Sequence, residues 1–194
     1  MNSIERLNVL VIGPCYSGKS SLIKRYILNE FIDIYDPIIV DTYNKKLKFK
    51  NKELILQITD VTGSESCEAI LYDEIRNKDG YLLVYPINSK EKFKEVVVFH
   101  QRIYKELNKT SDEKIALVLC ANKSDLEQER QVSTQEGQDL ADEWGSLFFE
   151  VSGKHNIYVD KLFESLVTEI INQKITSKNN FNYDYKSKQD CVLM

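Results

Sequence analysis

Residues Gly13 to Ser20, Gly-Pro-Cys-Tyr-Ser-Gly-Lys-Ser, combine residue types and spacing that suit chemistry on phosphates. Glycine, four residues, then Gly-Lys-Ser is the pattern of a loop that wraps phosphate oxygens with backbone N–H groups at a helix N-terminus. Lys19 would neutralise charge there, and the Ser20 hydroxyl would bind Mg²⁺. A second run, Ala121-Asn122-Lys123-Ser124-Asp125, places a carboxylate just after an apolar stretch. Guanine offers N1–H and its N2 amine as adjacent donors, which one carboxylate can accept together, whereas adenine offers no such pair. A third run, Ser152-Gly153-Lys154, supplies a backbone N–H that could donate to the guanine O6.

These runs act together only if a scaffold brings them to one edge. Leu7 to Ile12 is a short apolar run ending at Gly13, and Lys19 to Leu28 follows with Leu22, Ile23, Tyr26 and Ile27 at helical spacing. Thr42 to Phe49 and Glu53 to Ile58 form an expected antiparallel hairpin. Tyr81 to Ile87 and Ile115 to Ala121 are continuous aliphatic runs, as in strands covered on both faces. Glu91 to Leu107, Thr134 to Trp144 and Tyr158 to Ile171 have helical stripes, and Leu147 to Val151 is a short strand. The order βαββαβαβαβα specifies an α/β fold: a doubly wound, six-stranded, mostly parallel sheet with one antiparallel strand and helices on both faces. In that fold all three chemical runs fall at the carboxyl edge of the sheet, where ligands bind.

The 194 residues suit one domain with a tail, and a net charge of −4 without any like-charge block excludes a dominant electrostatic hold on nucleic acid. Cys15, Cys67, Cys120 and Cys191 fit neither a zinc ribbon nor a disulfide scaffold, so free thiols are expected. No apolar run reaches the length of a spanning helix, and the first residues lack a signal-peptide pattern. The apolar period stops near Lys174. The domain is therefore expected over residues 1–173, with a flexible tail over 174–194. His100 and Trp144 are expected to pack, and Cys120 to be buried and inert.

Taken together, these motifs resemble the Ras family of small GTPases, with a match running from about Ile4 to Ile171, and the resemblance implies a P-loop NTPase fold. Phe31 to Tyr43 resembles the first switch segment of that family, and Asp60-Val61-Thr62-Gly63-Ser64-Glu65 the second. The resemblance implies GTP or GDP and Mg²⁺ as ligands. Gly13, Pro14, Cys15, Tyr16, Ser17, Gly18, Lys19, Ser20 and Ser21 would surround the phosphates, with Gly63 donating to the γ-phosphate. Asn122, Lys123, Asp125 and Leu126 would lie at the base with Ser152, Gly153 and Lys154. Phe31 would sit edge-on to guanine, with Asp33 nearby, and Asp60 would bind Mg²⁺ through water.

Four positions depart from the family pattern. Cys15 and Tyr16 occupy places where glycines are usual, Ser64 replaces the glutamine that orients the attacking water, and Ile38 replaces a threonine that ligates Mg²⁺. These departures imply slow hydrolysis by Lys19 with a poor substitute at Ser64, a weakly held first switch, or a constitutive nucleotide-bound module without a hydrolytic cycle. An ATP-dependent kinase is disfavoured by Asp125. Effectors would engage the segment from Tyr35 to Tyr43 and the second switch, with Val40 standing where an acid is usual, and an exchange factor and a monomeric state are expected. Cys191-Val192-Leu193-Met194 fits a prenylation signal, farnesyl from its final Met. Four tail lysines against two aspartates add little basic help, so the expected location is the cytoplasmic face of a membrane, the plasma membrane first, with a cytosolic fraction.

Overall fold

The computed structural model describes residues 5–31, 40–49, 52–61, 68–110 and 112–190. Its elements are β1 (Glu5–Ile12), α1 (Lys19–Leu28), β2 (Val40–Phe49), β3 (Lys52–Val61), α2 (Glu68–Arg76), β4 (Gly80–Pro86), α3 (Lys90–Glu106), β5 (Leu117–Asn122), α4 (Thr134–Glu143), β6 (Leu147–Glu150) and α5 (Val159–Asp190). The sheet order is β2-β3-β1-β4-β5-β6. Only β2 runs antiparallel, paired with β3 in register from Val40↔Val61 to Phe49↔Lys52. The α/β architecture expected from the sequence is the architecture observed.

Alternation along the central strands builds two cores. Leu7, Val9 and Val11 of β1, with Leu82 and Val84 of β4, face Leu22, Ile23 and Tyr26 of α1 and Phe163 and Leu166 of α5. Their neighbours Leu10, Ile12, Tyr81, Leu83 and Tyr85 face Leu71 and Ile75 of α2 and Val96, Phe99 and Ile103 of α3. Strands β4 and β5 are buried at every position, as strands sandwiched between helix layers must be. On the α1 side Tyr26 stacks on Phe163 with centroids 4.1 Å apart, locking α1 to α5.

Helix α5 extends beyond the point where the sequence pattern places the end of the domain. Among the described side chains, apolar packing on α5 reaches Ile171 and Ile175 is exposed, while the backbone stays helical through Asp190. No glycine or proline lies between Val159 and Asp190, so nothing local breaks the helix once packing ends. Helix α3 starts at an N-cap, Ser89, whose side chain accepts from the Lys92 N–H, and α4 at a full capping box between Ser133 and Glu136. Helix α3 is the next helix after β4 and α4 follows β5 through the loop that carries Asp125, so their capped starts lie at the carboxyl edge of the sheet.

Candidate functional site

The phosphate-type loop follows the carboxyl end of β1. A Cβ at Gly13 would collide with the Val84 carbonyl of β4, so only glycine lets the loop leave the sheet so tightly. Gly18 is the N-cap of α1 at φ 85°, and a Cβ there would stand 2.5 Å from Asn122 Nδ2. Tyr16 also holds a left-handed φ, 64°, although it carries a full side chain, 69% exposed. This conformation suits the glycine usual at that position and costs a tyrosine about 1–2 kcal/mol.

Lys19 is 7% exposed and lies back across the loop, its Nζ donating to the carbonyls of Gly13 and Pro14, each at 2.9 Å. Burial pushes its pKa down, opposed by the charge of Asp60 and by Cys15. Asp60, near the end of β3, is also 7% exposed, and burial pushes its carboxyl above the usual range. The Ser20 hydroxyl, which donates to it, and the nearby Lys19 act in the opposite direction. A buried carboxylate beside an exposed serine hydroxyl is a hard-oxygen pair, and a divalent cation would offset the cost of keeping that carboxylate charged, so the residues fit Mg²⁺.

The second and third runs meet this loop through Asn122, 3% exposed at the end of β5. Its Nδ2 donates to the Ser17 carbonyl at 3.0 Å and, more weakly, to the Gly18 carbonyl at 3.4 Å. Its Oδ1 accepts from the Gly153 N–H at 3.3 Å. One side chain thus joins the phosphate-type loop to both loops expected at the base. Lys123 turns the chain at φ 65°, and the Leu126 N–H donates to its carbonyl at 2.9 Å. The Ser152 hydroxyl donates to Asp125 Oδ1 at 2.6 Å while accepting from the His155 N–H at 3.1 Å, which fixes where the carboxylate points. Beyond it, Arg130 bonds Glu127 and Glu150, each at 2.6 Å, anchoring the chain after Asp125 to β6.

Gly13, Pro14, Cys15, Tyr16, Ser17, Gly18, Lys19, Ser20, Ser21, Asp60, Asn122, Lys123, Asp125, Leu126, Ser152, Gly153 and Lys154 therefore all lie in loops, strand ends and a helix start at one edge of the sheet. Phe31 follows α1 and is half-buried. Asp33, Tyr35, Ile38, Gly63, Ser64 and Cys191, with the roles expected of them, fall outside the described residues. Cys15 is partly exposed, whereas Cys120 is buried and its thiol is pushed up by burial. His100 is packed, stacked on Trp144 at 3.8 Å.

Sequence reasoning passed over Arg25. Its Nε donates to the Gly153 carbonyl at 2.9 Å and its Nη2 to the Lys154 carbonyl at 3.0 Å. Its Nη1 donates to the carbonyl of Asn29, the C-cap of α1, at 2.9 Å. The only sequence signal was an arginine in the last turn of a helix, which usually means a solvated charge near the helix dipole.

A strand-loop-helix phosphate site joined through Asn122 to an Asn-Lys-x-Asp loop defines a P-loop nucleotide-binding domain of the small-GTPase class. The chain belongs to the Ras family, whose model matches residues 8–172. It is 35% identical over 181 residues to the Ras-related protein O-RAL of Diplobatis ommata, an alignment that covers 93% of this chain and 87% of that protein. It is 34% identical over 193 residues to Ras-like protein 2 of Mucor circinelloides f. lusitanicus, covering 98% of this chain and 96% of that protein. As a member of this family, the chain is a GTP-binding protein of the molecular-switch type.

Proposed function

We propose that this chain is a lipid-anchored switch that binds GTP or GDP with Mg²⁺ and hydrolyses GTP slowly. The observation that carries this reading is Asn122, which ties the loop bearing Lys19 to the loops bearing Asp125 and Gly153. Phosphate and base determinants are thereby held at one fixed separation. Asp125, oriented by Ser152, accepts the two guanine donors, with Lys123, Lys154 and Phe31 against the ring. Lys19 turns from the loop carbonyls toward the β- and γ-phosphates, and the loop N–H groups complete the cradle. Ser20 and, through water, Asp60 would hold Mg²⁺, which when bound would supply further charge neutralisation on the phosphates.

Slow hydrolysis follows from side chains around the γ-phosphate. Cys15 places a thiol where the family usually has no side chain, which crowds the attacking water and an arginine supplied by an activating protein. Ser64 is too short to orient that water as a glutamine does, and Ile38 offers no hydroxyl to Mg²⁺. Single-turnover hydrolysis on purified protein tests this: a slow rate unmoved by an activating protein is expected, and fast, stimulated hydrolysis overturns it. The same departures favour a second reading, a constitutive nucleotide-bound module. Equal partner affinity in the GTP and GDP forms would select that module over the switch.

Effectors would meet the segment from Tyr35 to Tyr43 and the second switch, with an exchange factor reloading a monomeric domain. Prenylation at Cys191 would give reversible contact with the cytoplasmic face of a membrane, because a single chain with few basic residues anchors weakly. No helix of the described residues is long and apolar enough to cross a membrane. Loss of membrane-fraction protein in Cys191→Ser checks the anchor, and an unchanged fraction removes it.

A further inference from the structure

We infer that Arg25 is a positioning residue for guanine recognition, acting on Asp125 through the Lys154–His155 peptide and the Ser152 hydroxyl; this rests on the guanine-binding reading above.

Arg25 lies on α1, directly downstream of the phosphate-type loop, yet two of its three hydrogen bonds go to residues 128 and 129 positions away. They fall on successive carbonyls, Gly153 and Lys154, so the planar guanidinium fixes two peptide planes at once. A trans peptide holds its N–H opposite its carbonyl. Fixing the Lys154 carbonyl toward α1 therefore aims the His155 N–H the other way, and that N–H donates to Ser152 Oγ at 3.1 Å. The donation leaves the hydroxyl hydrogen for Asp125, which accepts it at 2.6 Å. The relay is continuous: guanidinium, peptide plane, hydroxyl, carboxylate.

The relay has a second support. The Gly153 N–H is held by Asn122 while the Gly153 carbonyl is held by Arg25, so this residue is pinned from the β5 side and from the α1 side together. The bond from Arg25 to the Asn29 carbonyl fixes the helix end from which the guanidinium reaches. Lys45 of β2 lies over the ring of the adjacent Tyr26, 3.5 Å from its centroid, and donates to the Tyr26 carbonyl. The end of α1 is therefore a rigid base, and Arg25 transmits its position to the acid that reads the purine.

The consequence is selective. A carboxylate aimed by Ser152 accepts both N1–H and the N2 amine of guanine, whereas one released from that aim keeps a single donor. Inosine has N1–H but no N2 amine, so the difference between GDP and IDP measures the aim of Asp125 separately from phosphate binding. The test is competition of GDP and IDP against a fluorescent GDP analogue on the full chain. Arg25→Ala is expected to weaken GDP binding by about tenfold, the scale of lost hydrogen bonds involving a charged group, and IDP distinctly less. The preference for GDP over IDP then contracts, and Arg25→Lys, which keeps one donor nitrogen in place of three, falls between the two proteins. Equal weakening of both nucleotides in both variants, or no weakening, overturns the relay, since a merely structural role moves them together. Should Arg25→Ala not fold, Arg25→Lys and Arg25→Gln decide by the same ratio. A wild-type protein that prefers neither GDP over IDP nor GDP over ADP overturns the guanine reading, and the relay with it.

Discussion

Replacing Asn122 with alanine tests the junction on which the site depends. The side chain is 3% exposed and satisfies three backbone groups, but these are not equally dependent on it. The Gly18 carbonyl, at 3.4 Å, already accepts from the Leu22 N–H at 2.9 Å, so it loses little. The Ser17 carbonyl and the Gly153 N–H lose the bonds described for them at 3.0 and 3.3 Å. Leaving a buried polar group unpaired costs about 1–3 kcal/mol, and the longer bond counts toward the lower end, so Asn122→Ala is expected to cost about 2–4 kcal/mol. In a domain of this size that lowers the melting temperature by roughly 5–15 °C. Bound nucleotide raises apparent stability, so melts of both proteins belong at one fixed saturating GDP concentration. Release of a fluorescent GDP analogue, followed in parallel, should accelerate at least about tenfold, since the phosphate-type and base loops part. A variant within about 0.5 kcal/mol of wild type refutes the energetic reasoning. A destabilised variant with unchanged release refutes the junction, because Asn122 would then support the fold without coupling the loops.

Gly137→Ala should destabilise despite the better helix propensity of alanine, because the new Cβ meets the Tyr85 hydroxyl and stands 2.5 Å from Phe148 Cζ. Overpacking of about 1–3 kcal/mol exceeds a propensity gain of at most about 1 kcal/mol, and a chemical denaturation curve reads the difference. His100→Phe should flatten the acid limb of stability. Burial pushes the His100 pKa down to about 4, below its unfolded value, so as pH falls from about 6.5 to 4 the unfolded state takes a proton that the folded state refuses. Wild type should lose up to about 1.4 kcal/mol per pH unit relative to the variant across that window, and parallel curves would contradict this. Tyr16→Gly should raise stability by about 0.5 kcal/mol, since relief of the left-handed strain outweighs the added freedom of the unfolded chain. A loss greater than about 1 kcal/mol would show that contacts of the ring exceed its strain.

The chemical runs were legible because each is local: a few residues following an apolar strand carry their own spacing, and the strand order brings them to one edge. The bounds of α1 match for the same reason, with Gly18 before it and Asn29 after it in left-handed conformations that stop a helix. What joins the runs was not legible. Asn122 appears in the sequence as part of a base loop, and its grip on Ser17 depends on a separation of 105 residues. Arg25 is hidden in the same way, since its partners are carbonyls and a carbonyl leaves no mark on composition. Helix α2 was expected between β3 and β4 without bounds, because nine residues anchored by Leu71 and Ile75 give too short a stripe. Helix α5 outran its apolar pattern, which records packing and says nothing about where a helix without glycine or proline must stop.

The stack of His100 on Trp144 has an optical consequence. Trp144 is the single tryptophan of the chain and the C-cap of α4, and its ring lies 7° from parallel with the imidazole of α3. Helices α3 and α4 begin at the nucleotide edge and run back toward the opposite edge, so this chromophore sits at the far end of α4, against the later half of α3. Its emission monitors the α3–α4 half of the molecule, and a change in that emission on nucleotide exchange would mark a rearrangement that has crossed the whole sheet.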